Sequence, residues 1–303
     1  VEFSTAFCDA PSAWRTRDPI SIADTGGALP AARFGAGPTI ALGDGELRMA
    51  YDLDGDIYWG SAPSIGVVEL LDPAPALSPT FAHEALGIGD PELVFDGTGW
   101  HLFYTARDAS GNGSIGHAVA STTDVAFTAD TLPTLTGGPG VRSLDAPTVY
   151  MRDGLWVLIA RATLDSGATE LRAYYTSEVG TSWARIVDGA LEATTRVEGA
   201  GTEITGPSLI VHNSGYQLYY GRRTGTRWAV EVIASDELLL WRAIGEALGP
   251  IDDDERFDAR GGRAPDAISL TDRVELVYRG HDGVSFELGW AVRDAPSDTA
   301  PAF

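Results

Sequence analysis

The stretch Gly89-Asp90-Pro91-Glu92-Leu93-Val94-Phe95-Asp96-Gly97-Thr98-Gly99-Trp100-His101-Leu102-Phe103-Tyr104 decides the architecture. It reads as a β-hairpin. A short apolar run follows the proline, Asp96-Gly97 supplies a tight turn, and an aromatic-rich return strand ends at Tyr104. A proline cannot donate to a ladder, so Pro91 belongs at the start of its strand. The same template recurs as Gly37-Pro38 through Tyr51, Ala146-Pro147 through Ala160, Gly206-Pro207 through Tyr220 and Ala264-Pro265 through Tyr278. In every copy the residue ending the second strand lies 13 positions after the proline, and the prolines are spaced by 53, 56, 60 and 58 residues. A fixed internal offset at a period near 55 residues marks a repeat architecture.

A second motif follows three of the hairpins: Ser121-Thr122-Thr123-Asp124 with Phe127, Ser177-Glu178 with Trp183, and Ser235-Asp236 with Trp241. It reads as a polar turn after a third strand, with the aromatic anchoring a fourth. Four strands in each of five repeats predict an all-β, five-bladed β-propeller with four antiparallel strands per blade. The blades are expected at about 36–75, 88–135, 144–192, 204–248 and 262–296, all within one domain spanning 1–303. Only three strands are legible in the last repeat, so the N-terminal segment 1–35 should close the ring, around Ile20-Ser21-Ile22. One short helix is expected near Ser78 to Leu86. The abundant glycine and proline, 36 and 17 residues, are then turn chemistry rather than linker.

Composition removes other classes. The net charge is −22, and the 21 basic residues are all arginine, so a general nucleic-acid binder, which needs a cationic footprint, is excluded. No apolar run approaches the roughly 18 residues of a membrane span. The single cysteine, Cys8, permits neither an internal disulfide nor a cysteine-based zinc site. A chain beginning at Val1 rather than Met fits removal of a leader, which predicts a secreted or cell-envelope protein.

In a propeller the first strand of each blade lines the axis, so residues near the template prolines converge on one pocket. These are Asp90, Asp145, Glu203 with Thr205, Arg263 and Asp266. The ends of the second strands add Asp52, Arg107, Arg161, Arg222, Arg279 and His281. Several carboxylates among arginines suit a hydroxyl-rich ligand such as a carbohydrate.

The Asp90-Pro91 hairpin resembles the Asp-Pro blade of five-bladed propeller glycosidases: glycoside hydrolase family 43, the invertase and levansucrase families 32 and 68, and the mannoside phosphorylase family 130. Leu144-Asp145-Ala146-Pro147 looks like their Glu-x-Pro element with Asp in place of Glu. Ala234-Ser235-Asp236 with Trp241, and Tyr278-Arg279-Gly280-His281-Asp282-Gly283, are similar to their fourth and fifth blades. The resemblance spans about residues 36–294 and implies cleavage of a glycosidic bond. Asp90 would orient and set pKa, and Asp145 would be the general acid. Arg107, Arg161, Arg222, Arg263, Asp266, Arg279 and Glu203 would hold substrate. The base of the hydrolases should precede Pro38, where this chain has Gly37, and Asp18 could replace it only from a segment folded into the channel. Two alternatives follow. One is a non-catalytic carbohydrate-binding propeller, and the other is a phosphorylase-like enzyme using Asp90 and an arginine-bound phosphate. No cofactor is required. A central calcium or other cation at His281 is the metal expectation, while Asp52-Leu53-Asp54-Gly55-Asp56 and Asp252-Asp253-Asp254-Glu255 read as a turn and a solvated charge run.

Overall fold

The computed structural model describes residues 14, 16–23, 37–43, 45–64, 67–70, 74–121, 126–187, 190–199, 201–212, 215–251, 256–270 and 273–294. The N-terminal part supplies β1 (Thr16–Pro19) and β2 (Ser21–Ala23). Blade one holds β3 (Thr39–Gly43), β4 (Glu46–Leu53), β5 (Asp56–Ser64) and β6 (Val67–Leu70), and blade two holds β7 (Ile88–Phe95), β8 (Gly99–Arg107), β9 (Gly113–Ser121) and β10 (Thr128–Ala129). Blade three is built from β11 (Val141–Arg152), β12 (Leu155–Leu164), β13 (Thr169–Thr176) and β14 (Ala184–Arg185). Blade four follows with β15 (Thr202–His212), β16 (Gly215–Thr224), β17 (Arg227–Ser235) and β18 (Arg242–Leu248). Blade five consists of β19 (Gly262–Ser269), β20 (Arg273–His281), β21 (Phe286–Asp294) and, at its outer edge, β1. The fold is the five-bladed β-propeller that the hairpin repeat predicts.

The ring closes slightly upstream of Ile20-Ser21-Ile22. Thr16–Pro19 pairs antiparallel with β21, from Thr16 opposite Val292 to Pro19 opposite Gly289. The chain then crosses to blade one, where Ser21–Ala23 runs parallel to β6 as a fifth strand. Ile20 is the crossing point: its N–H donates to the Leu288 carbonyl, and its side chain packs against the small apolar clusters on both sides of the seam. One short segment therefore ties blade five to blade one. Asp18 lies on this outer strand, opposite Trp290 and away from the axis.

The remaining blade-to-blade interfaces are apolar and larger. Trp59, Trp100, Leu102 and Phe127 pack between blades one and two, and Phe103, Trp156 and Leu158 between two and three. Leu171, Leu218 and Trp241 fill the third interface, and Tyr219, Val230 and Leu276 the fourth. Phe127 and Trp241, two of the three aromatics of the second sequence motif, are buried there, and Trp183 packs half-buried against the second interface. Residues 122–125, 213–214 and 252–255, on which part of that motif, one expected turn and one acidic cluster fall, lie outside the described residues, as does Cys8. A 3₁₀ turn, Ala82–Glu84, occupies the expected helical stretch, and a second short helix, α1 (Ala190–Thr195), is too brief to leave an apolar period in the sequence.

The fixed offset between proline and tyrosine has a structural cause. The Tyr104 hydroxyl donates to Glu84 Oε1 at 2.6 Å, and the Tyr278 hydroxyl to Asp258 Oδ2 at 2.8 Å, so each strand end is pinned to the segment before its own blade. At the proline itself the inner strand bulges. Register breaks between Gly89 and Glu92, Asp145 and Thr148, Ile204 and Pro207, and Arg263 and Asp266. Asp90, Ala146 and Ala264 take left-handed φ values of 46°, 48° and 46°. L-residues are held there only by surrounding structure, and such outliers gather at functional sites.

Immediately below the prolines the residues one position further on form a girdle around the axis. Thr39 donates to Glu92 Oε2 at 3.2 Å, and Thr148 and the Val149 N–H both donate to Glu92 Oε1 at 3.0 Å. The Leu209 N–H donates to Thr148 Oγ1 at 3.0 Å, Ser208 donates to Asp266 Oδ1 at 2.7 Å, and the Ile40 N–H donates to Asp266 Oδ2. All five girdle side chains are buried. The opening among the prolines has a volume of about 30 Å³, room for water and too small for a sugar ring. Below it the inner strands turn apolar, with Ile40, Leu93, Val149 and Leu209 lining the far end.

Candidate functional site

Above the girdle, charged side chains of all five blades meet. Two positions per repeat supply most of them: the residue two before each proline and the residue fourteen after it. Cross-strand register sets these face to face, as Asp145 opposite Arg161 and Arg263 opposite Arg279. In blade two the pair is Gly89 and Thr105. The same fourteen-residue offset places Asp52 in blade one, Thr105 in two, Arg161 in three and Arg279 in five.

Asp90 stands next to this ring. Its carboxyl is 13% exposed and accepts a hydrogen bond from Thr105 Oγ1 at 2.9 Å, with Arg107 Nη2 3.8 Å from Oδ2. Thr105 also accepts the Ala146 N–H at 2.8 Å, which fixes the start of blade three relative to Asp90. Thr205 repeats the device by accepting the Ala264 N–H at 3.0 Å. Burial, and next the neighbouring Asp145, push the Asp90 carboxyl above the ordinary aspartate range, while Arg161, Arg107 and the Thr105 hydrogen bond pull the other way.

Asp145 is only 3% exposed and accepts a hydrogen bond from Arg161 Nε. Arg161 spans the site: its Nη1 also donates to the Ile204 carbonyl at 2.9 Å and reaches Glu203 Oε1 at 3.4 Å. Burial works against the guanidinium, but Asp145 more than offsets it, so Arg161 is held more firmly protonated than an ordinary arginine. Glu203, 32% exposed, is shared with Arg223, whose Nη2 is 3.3 Å from Oε2. Arg222, the sequence candidate, is exposed, and its charge acts on Tyr220 and Glu231 instead. Strand alternation sends consecutive residues to opposite faces, so Arg223 comes to Glu203 and Arg222 does not.

Asp52 was legible as a strand-end residue, but its place in the site depends on packing. It is buried, and its Oδ1 accepts the Gly37 N–H at 3.4 Å. A Cβ on Gly89 would lie 3.0 Å from Asp52 Oδ2. The glycine at 89 therefore leaves room for a carboxyl arriving from β4. Asp266 sits lower, in the girdle, where Ser208 and Ile40 hold both oxygens. Arg263 and Arg279 face one another, and burial followed by the charge of Arg263 brings Arg279 down to about 10, still protonated at neutral pH. His281 lies at the end of β20; burial lowers its pKa, and Arg263, Arg260 and Arg279 add to that against Asp282. Among the described residues no group of three His, Cys, Asp or Glu side chains converges to hold a metal ion. No helix of the described residues is long and apolar enough to cross a membrane.

No protein-family model matches the sequence, and no curated protein matches it. Solved structures do. A glycoside hydrolase superposes with a TM-score of 0.72 at 13% identity, covering 96% of this chain and 95% of the other. A thermostable family-43 glycoside hydrolase gives 0.65 at 13% identity over 86% and 88%. The fold is that of the five-bladed glycoside hydrolases. The Bombyx mori GH32 β-fructofuranosidase matches it with a TM-score of 0.61 at 14% identity, over 88% of this chain and 63% of the enzyme. The glycosidase-like propeller thus carries its charged mouth at the proline end of the inner strands.

Proposed function

We propose that the charged mouth of this glycosidase-like propeller binds a carbohydrate and cleaves a glycosidic bond, with Asp90 as proton donor and Asp52 as base. The observation that supports the reading is the Asp52 carboxyl, which comes from β4 and accepts the Gly37 N–H at 3.4 Å, beside the position before Pro38 where the resemblance puts a base. Asp90 supplies the contrasting environment, a carboxyl whose burial and neighbouring Asp145 favour the protonated form. In the step, Asp90 passes its proton to the glycosidic oxygen as the bond from that oxygen to the anomeric carbon breaks. Asp52 accepts a proton from water while the water oxygen bonds to the same carbon. Asp145 then acts as a positioning residue, holding Arg161 across the site toward Glu203.

The test is turnover of a panel of aryl glycosides and plant and marine oligosaccharides by wild type, Asp90→Asn and Asp52→Asn. Turnover by wild type that both variants lose, with sugar binding retained, supports the reading. Binding without turnover in wild type favours a non-catalytic carbohydrate-binding propeller. That second reading draws on Asp145, the general acid that the resemblance implies, which is buried against Arg161. Turnover that requires phosphate would point to the phosphorylase-like chemistry, with Arg107 beside Asp90.

A further inference from the structure

Beside the mouth, between blades four and five, a hollow of about 640 Å³ is lined by Arg223, Arg260, Arg263, His281 and Trp228. That volume is in the range of small-molecule sites. Its lining is built rather than incidental. The Arg223 guanidinium lies 5.5 Å and that of Arg263 5.3 Å from the Trp228 ring centroid, so one buried indole holds two cations. The backbone is laced at the same place: the Trp228 N–H donates to the Arg260 carbonyl at 3.0 Å, and the Arg260 N–H to the His281 carbonyl at 2.7 Å. Asp282, next in sequence to His281, is turned into its own loop, where it accepts from the N–H groups of Val284 and Ser285 at 2.6 and 2.7 Å.

The charge of the hollow opposes that of the molecule. The chain carries −22, yet among the described residues the charged groups lining this cavity are three arginines, one of which, Arg223, is met by Glu203 at 3.3 Å. Burial lowers the pKa of Arg263; Glu203 and Asp90 pull it back up, and Arg161 and Arg223 push it down. Planar guanidinium groups match the flat or tetrahedral oxygens of carboxylate and sulfate, with two parallel hydrogen bonds each. The influence of Asp90 on Arg263 also shows that hollow and mouth adjoin.

We propose that this hollow is a subsite for an oxyanion borne by an acidic sugar, a carboxylate or sulfate on the residue next to the one at Asp90. The inference rests on the carbohydrate reading above and names its substrate class. A free phosphate shares the chemistry, and the test separates the two sources. Isothermal titration compares a galacturonate trisaccharide with its carboxyl-reduced form, and a sulfated disaccharide with its desulfated form, with inorganic phosphate as a separate probe. The expected result is a preference of about tenfold or more for one anionic member of a pair, weakened by salt. Arg260→Gln, at an exposed position whose backbone bonds survive the change, should erase most of that preference, as should Arg263→Gln. Equal affinities within both pairs overturn the inference even if neutral glycosides are cleaved. Phosphate binding that depends on Arg260 without any preference among the sugars also overturns it, in favour of a free anion. Anion preference without turnover leaves it standing and removes only the hydrolase reading.

Discussion

Two polar rings lie on the same five strands, about one turn of pleat apart, and they are built on opposite plans. The girdle after the prolines closes on itself: both oxygens of Glu92 and both of Asp266 have donors, and every member is buried. The mouth before the prolines is built from ion pairs that stay partly open to solvent. Asp90 is part exposed and shifted upward, and Arg263 and Arg279 sit opposite one another. A satisfied buried network holds strands in register, whereas a charge-rich one open to solvent can exchange its partners for a ligand's. The left-handed backbone at Asp90, Ala146 and Ala264 marks the boundary between them.

Substitutions can break that contrast. The largest effect is expected at the mouth. Asp90→Asn should lower kcat by about 10²- to 10⁴-fold, the usual worth of a general acid, with little change in Tm. Equal loss of Tm and activity would mean that Asp90 belongs to the scaffold. Next comes the girdle, where Glu92→Ala strands the Thr39 and Thr148 hydroxyls and the Val149 N–H, and should cost about 2–4 kcal/mol by denaturant titration. Glu92→Gln keeps an acceptor for Thr148 and Val149 and should be far milder.

A pH series sharpens the comparison further. Burial raises Asp266 to about 6 and raises Glu92 well above the ordinary value, so the folded state holds these protons more tightly than the unfolded chain. Their contribution is therefore fully present below about pH 4, and Asp266's share is lost as pH rises to about 6. Wild-type Tm should fall by several degrees across that window in thermal melts, and Glu92→Gln should fall less. Parallel slopes would assign the effect to the surface charge instead. The smallest change is Thr205→Val, which leaves the Ala264 N–H without its acceptor and should cost about 1–2 kcal/mol.

The propeller was legible because its cause is periodic. Pro91 and Tyr104 recur at one offset, since each proline starts an inner strand and two of the tyrosines, 104 and 278, pin their strand ends to a preceding acid. Asp90, Asp145, Arg161 and Glu203 were legible as axial residues for the same reason. The exchange of Arg222 for Arg223 was not, because a strand alternates its faces and the bulge at Ile204 and Pro207 resets the count. Asp266 illustrates the same limit: one step past Pro265 is girdle, and two steps before it, at Arg263, is mouth.

Sequence alone determined the number of blades, the strand order within each and the identity of the inner strands, because repeats and turn residues act locally. Tertiary structure alone decided which charges meet. Asp52 beside Gly37, Arg161 reaching Glu203, and Trp228 holding two guanidiniums all join different strands or blades. Such contacts depend on how five separate sheets are rotated about one axis, and no spacing within a single repeat encodes that rotation.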